Sequence, residues 1–107
     1  MTDDEMTKLC AKVMGLEITF ADAHGVFVHD AKIPGPRVYS PLHDDAQAMA
    51  LVKKLRLDIN YATDEGVSVS WFSNDSVDAD HVQTHSADLN RAIVECVAVA
   101  ARQKGET

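Results

Sequence analysis

Apolar residues recur along this chain with two periods. Steps of three and four mark a helix and steps of two mark a strand, because those are the repeats of the two backbones. Met6, Leu9, Cys10 and Val13 have the helical spacing. Thr2 and Glu5 ahead of them form a capping box, and Gly15 is placed to close the helix in a left-handed conformation. Leu16, Ile18 and Phe20 alternate with Glu17 and Thr19, which predicts a strand over 16–20. Asp22-Ala23-His24-Gly25 carries turn chemistry, and Val26 to Val28 reads as the return strand. Ala31 to Pro36 reads as loop, with Pro34 and Pro36 each biasing the residue before it toward extended geometry.

The second half is more regular. Val38 to Leu42 is predicted to be extended, since Pro41 disfavours helix at Ser40. His43, Asp44 or Asp45 then caps a helix whose buried stripe is Ala48, Leu51, Val52 and Leu55. Lys53, Lys54 and Arg56 at its end complement the helix dipole, as the two aspartates do at its start. Leu57, Ile59 and Tyr61 alternate with polar residues, Thr63 to Gly66 turns the chain, and Val67, Val69 and Trp71 form the clearest strand. Ser73 to Ser76 is a further turn and Asp80 to His85 a third strand, so the three make an antiparallel meander. Ser86 is read as the cap of the last helix, whose stripe is Leu89, Ile93, Cys96, Val97 and Ala100. Val94, Ala98 and Ala101 extend the apolar surface beyond that stripe. A helix apolar over most of its circumference is the most buried one, or it buries a second face against another subunit, and a homodimer through this C-terminal helix is the expectation. Gln103 to Thr107 are expected to fray.

The order is helix, strands, helix, three-strand meander, helix. That is an α+β class: an antiparallel sheet with three helices packed on it, in one domain over residues 1–107.

Three motifs in this order resemble the phage ABA sandwich domain, a family of small bacteriophage and prophage proteins. The first is Leu9-Cys10-Ala11-Lys12-Val13-Met14-Gly15-Leu16, where the family has a helix ending in Met-Gly and an aromatic residue. The second is Tyr39-Ser40-Pro41-Leu42-His43-Asp44-Asp45-Ala46 leading to Val52-Lys53-Lys54-Leu55, matching a Ser-Pro-Ser-Thr-Asp start and a Glu-Lys-Leu end. The third is Thr84-His85-Ser86-Ala87 running into Arg91-Ala92-Ile93-Val94-Glu95-Cys96, where the family carries Ala-Pro and then Ala-Ile-Cys. Leu16, Leu42-His43 and the missing proline near Asp88 depart from the pattern, at positions that concern packing and caps. The resemblance implies an alpha–beta–alpha sandwich and no established activity, so no catalytic, cofactor-binding or metal-binding residue is carried over.

Composition narrows the function classes. With 10 basic and 17 acidic residues the net charge is −7, which disfavours direct binding to nucleic acid or anionic lipid. No apolar run approaches the roughly 20 residues that span a bilayer. The acidic N-terminus is unlike a secretory signal, so the cytosol of the producing cell is the expected location.

Candidate chemistry is sparse. Cys10 and Cys96 fall on apolar stripes, which predicts buried thiols, poor as nucleophiles. His81 and His85 share a face, but on a strand they stand roughly 13 Å apart, too far to grip one ion. His43-Asp44-Asp45 has metal-ligand types, yet adjacent residues at a helix start are explained by capping. Trp71 is expected in the core with Val67 and Val69, and Phe72 on the opposite face. Lys53, Lys54 and Arg56 are too few for a nucleic-acid patch. With no Gly-rich phosphate loop, no Gly-x-Ser-x-Gly and no Cys-x-x-Cys, a non-enzymatic phage or prophage accessory protein acting by protein–protein binding is the leading expectation. Two alternatives stay open: an acidic inhibitor of a host-defence or nucleic-acid-binding protein, and a small-molecule or nucleotide binder. No cofactor is expected in the leading reading.

Overall fold

The computed structural model describes residues 1–22, 25–30, 33–63, 66–72 and 81–103. The elements are α1 (Asp3–Val13), β1 (Glu17–Asp22), β2 (Gly25–Asp30), β3 (Ile33–Tyr39), α2 (Asp45–Leu55), β4 (Asp58–Thr63), β5 (Gly66–Phe72), β6 (His81–Ser86) and α3 (Leu89–Gln103). The α+β class and the order of elements are those the sequence predicts. The strands divide into two antiparallel three-stranded sheets, ordered β1-β2-β3 and β4-β5-β6, where the sequence reading has one.

The helix ends follow their local chemistry. Thr2 accepts a hydrogen bond from the Glu5 N–H (3.1 Å), as its place in the capping box requires. At the far end of α1, Gly15 has φ +74° and the Leu16 N–H reaches back to the Ala11 carbonyl (2.9 Å), the six-to-one closure of a helix. Asp44 is the cap of α2, accepting from the Gln47 N–H (3.0 Å). The last helix is capped two residues later than its sequence suggests. Asp88 accepts from the Asn90 N–H (3.1 Å), and Ser86 stands behind it, accepting from the Asp88 N–H (3.1 Å).

The main local departure is β3. Residues 33–36 are strand rather than loop, pairing across His29↔Pro36 and Asp30↔Ile33. Prolines are tolerated there because β3 is an edge strand, where a missing N–H leaves no ladder bond unmade. The expectations for Ala23, His24, Ala31 and Lys32, for the turns at 64–65 and 73–76, for Asp80 and for the fraying of 104–107 lie outside the described residues.

Helix α3 is the centre of the core. Ala92, Ile93, Val94, Cys96, Val97, Ala98, Ala100 and Ala101 are all buried. It packs against α1, α2, β5 and β6. Two thiols fix the arrangement: the Cys10 Sγ of α1 lies 3.8 Å from the Val94 carbonyl, and the Cys96 Sγ lies 3.8 Å from the Val82 carbonyl of β6. Positions two apart on a helix point to nearly opposite sides, so α3 runs between α1 and the second sheet. The surplus apolar surface that motivates a dimer through this helix is thus covered by the chain itself.

Each sheet turns one face inward. Val26, Val28 and Tyr39 of the first sheet and Val69, Trp71 and Val82 of the second are buried. The opposite faces are open to solvent at Glu17, His29, Pro36 and Val38 on one sheet, and at Asp58, Asn60, Gln83 and His85 on the other.

Candidate functional site

The three helices begin at one end of the molecule. Arg91, in the first turn of α3, pairs with Asp3 of α1 (2.9 Å), and Asn90 beside it donates to Asp45 of α2 (2.9 Å). Carboxylates favour helix starts, where unpaired N–H groups and the dipole attract them. Bringing three starts together therefore gathers acid. Asp3, Asp4, Asp44, Asp45 and Asp88 are all exposed there, and Asp22 lines a cleft with Asp3, Asp4 and His43. Six of the chain's 17 acidic residues form one pole, whereas Glu5 lines a separate cleft with Lys8, Lys12 and Arg102. The helices carry basic residues in their last turns: Lys12, then Lys53 and Lys54, then Arg102. The sequence shows each cap but not their convergence.

The sequence's metal-like trio is engaged in local and inter-helix hydrogen bonds. The His43 Nδ1 lies 2.9 Å from the Ser40 Oγ, Asp44 is the cap and Asp45 holds Asn90. His81 and His85 both belong to strand β6, so the separation expected along a strand applies to them. Among the described residues, no three His, Cys, Asp or Glu side chains gather closely enough to hold a metal ion.

Neither thiol is activated. Burial pushes both Cys10 and Cys96 up to about 12, so each stays protonated at neutral pH. Burial likewise raises the Tyr39 phenol, and a charge on Cys10 would raise it further. The Tyr39 hydroxyl is buried without a hydrogen-bond partner among the described residues. Trp71 joins Val67 and Val69 in the core as expected, while the Phe72 side chain lies outside the described residues. Lys53, Lys54 and Arg56 end α2, Arg56 serving as its left-handed cap.

Two features escape sequence reasoning. The first is a row across the open face of the first sheet. Phe20, Phe27 and Val38 stand in register on β1, β2 and β3. The two rings stack with centroids 4.3 Å apart, yet Phe20 and Val38 each keep 48% of their surface exposed. Apolar side chains on an outward face are the informative exception to burial. A β-bulge between Ile18 and Phe20 hides this row from a simple alternation, because it shifts Phe20 from the inward to the outward face.

The second is a cleft of about 300 Å³ between β3 and α2. Met14, Leu16, Val28, Ala46 and Ala50 give it apolar walls, and Arg37, Asp44 and Gln47 line it as well. Gln47 is held at both ends of its amide: Oε1 accepts from the Ser40 N–H (2.6 Å) and Nε2 donates to the Val38 carbonyl (3.3 Å). One glutamine thereby occupies the free edge of β3. No protein-family profile, curated protein or solved structure matches this chain.

Proposed function

We propose that this chain is a phage or prophage accessory protein that acts in the host cytosol by binding another protein, not by catalysis. The exposed row Phe20, Phe27 and Val38 carries the reading, because an apolar strip on an outward sheet face lowers solubility unless a partner covers it. The three resembling motifs supply the biological setting. The protonated thiols are in keeping with a non-catalytic role.

The test is a pull-down from phage-infected host cells, comparing the native chain with a Phe20→Asp, Val38→Asp double variant. Both residues are half exposed, and losing the Phe20–Phe27 stack should lower the melting temperature by several degrees without unfolding the chain, while the captured partner is lost. Retention of the same partner by the folded double variant would sink the reading.

The acidic pole favours a second reading, an inhibitor that occupies a basic nucleic-acid-binding surface of a host protein. Convergence of the helix starts supports it, since it draws six of the 17 carboxylates into one region. A partner released by moderate salt and by Asp4→Lys, but kept by the Phe20/Val38 variant, would select this reading over the first.

A further inference from the structure

We propose that the cleft between β3 and α2 binds a small monocarboxylate with a short apolar tail. This goes beyond the protein-binding reading, and of that reading's residues only Val38 also lines the cleft. The cleft measures about 300 Å³, the lower end of the range for small-molecule sites. At about 30 Å³ per heavy atom that is room for roughly ten such atoms, the size of an eight-carbon acid.

Its chemistry is asymmetric. The walls from Met14, Leu16, Val28, Ala46 and Ala50 are apolar, which suits a hydrocarbon tail. Arg37 is the one cation among the described residues of the lining. It is exposed, and its guanidinium makes no ion pair or hydrogen bond with any described residue. In a chain with 17 acidic side chains, an arginine that no described carboxylate engages, set beside an apolar wall, is a vacant carboxylate receptor. Asp44 lines the same cleft, but its Oδ1 is held by the Gln47 N–H (3.0 Å) as the cap of α2. Its negative charge turns an incoming anion toward Arg37. The Gln47 amide, fixed at both ends to the backbone at Val38 and Ser40, keeps the wall in place and reduces the ordering cost of binding.

Sodium octanoate is the probe, titrated into the full chain and followed by methyl and arginine side-chain NMR. Saturable sub-millimolar shifts are expected at Val28, Ala50 and the Arg37 Nε. Arg37→Gln should weaken binding at least tenfold with an unchanged melting temperature, since the Arg37 side chain holds no other described residue. Ala50→Leu, which fills the cleft and leaves Arg37 in place, should abolish it. Octanol and octylamine test the charge and should not saturate. The proposal falls if octanoate shows no saturable shift up to about 10 mM. It also falls if octanol or octylamine binds equally, or if Arg37→Gln binds as the native chain does.

Discussion

Tyr39 keeps a ring of the β3 edge strand inside the core and leaves its hydroxyl with no partner among the described residues. A buried polar group left unsatisfied costs about 1–3 kcal/mol. Tyr39→Phe keeps the ring and removes that cost, so denaturant unfolding should show a gain of about 1 kcal/mol. A loss instead would mean that the hydroxyl has a partner. The thiols set the alkaline limit. An unfolded cysteine ionises near its ordinary value of 9, whereas Cys10 and Cys96 hold their protons up to about 12 in the fold. The native state therefore binds more protons than the unfolded state between those values. Stability should be insensitive to these thiols below pH 9 and fall progressively from pH 9 to about 12. A Cys10→Ala, Cys96→Ala variant should show a shallower fall over the same window, read by urea titrations at each pH. The burial of both thiols is legible from their place on helical stripes. The orphaned Tyr39 hydroxyl is not, because it depends on what separate elements bring near it.

Elements end where one residue accepts an unusual backbone, and two of those residues are testable. Arg56 caps α2 with φ +55°, and the Leu57 N–H closes the helix end onto the Val52 carbonyl (3.1 Å). A non-glycine residue is strained there by about 1–2 kcal/mol. Arg56→Gly should raise stability by about 0.5–1 kcal/mol, the relief being partly offset by the greater freedom of glycine when unfolded. Thermal unfolding would detect it, and a drop in melting temperature would mean that the Arg56 side chain contributes more than its strain costs. Gly66 is the opposite case. Its φ is +107°, and a Cβ there would stand 2.5 Å from the Ser86 carbonyl oxygen, a backbone atom that cannot rotate away. Gly66→Ala should cost about 3 kcal/mol, from strain and overpacking together. A change below about 1 kcal/mol in chemical denaturation would show that β5 and β6 separate easily there.

Capping boxes, glycine closures and strand alternation make most elements readable, since each is decided by residues a few positions apart. Strand β3 is not readable in this way, because Pro34 and Pro36 signal loop unless the strand is known to be an edge. The bulge at Thr19 likewise conceals that Phe20 faces outward, and so hides the apolar row. Gln47 reads as an ordinary polar helix residue until Val38 and Ser40 are seen beside it.

At the scale of the molecule, the sequence shows that α3 is apolar nearly all round but not what covers it. Periodicity measures how much surface a helix must bury, and only the packing says against what. The same holds for charge. A net −7 is a sum, whereas the acidic pole exists because α1, α2 and α3 start together. Division of six strands into two sheets is also invisible locally, since a hairpin between neighbours says nothing about which meander joins which.

The position of α3 between α1 and the second sheet gives the molecule a pair of internal clocks. Cys10 reports on the seam between α1 and α3, and Cys96 on the seam between α3 and β6. Neither thiol can react with a labelling reagent until its own seam parts, because thiolate and access are both withheld. Mass-resolved labelling at neutral pH therefore times the two openings separately. Equal rates at both sites would mean that the fold opens only as one cooperative unit. Faster labelling at Cys10 is the expected outcome, since the first sheet and α1 can lift away while α3 stays on the second sheet, a local opening below the cost of complete unfolding.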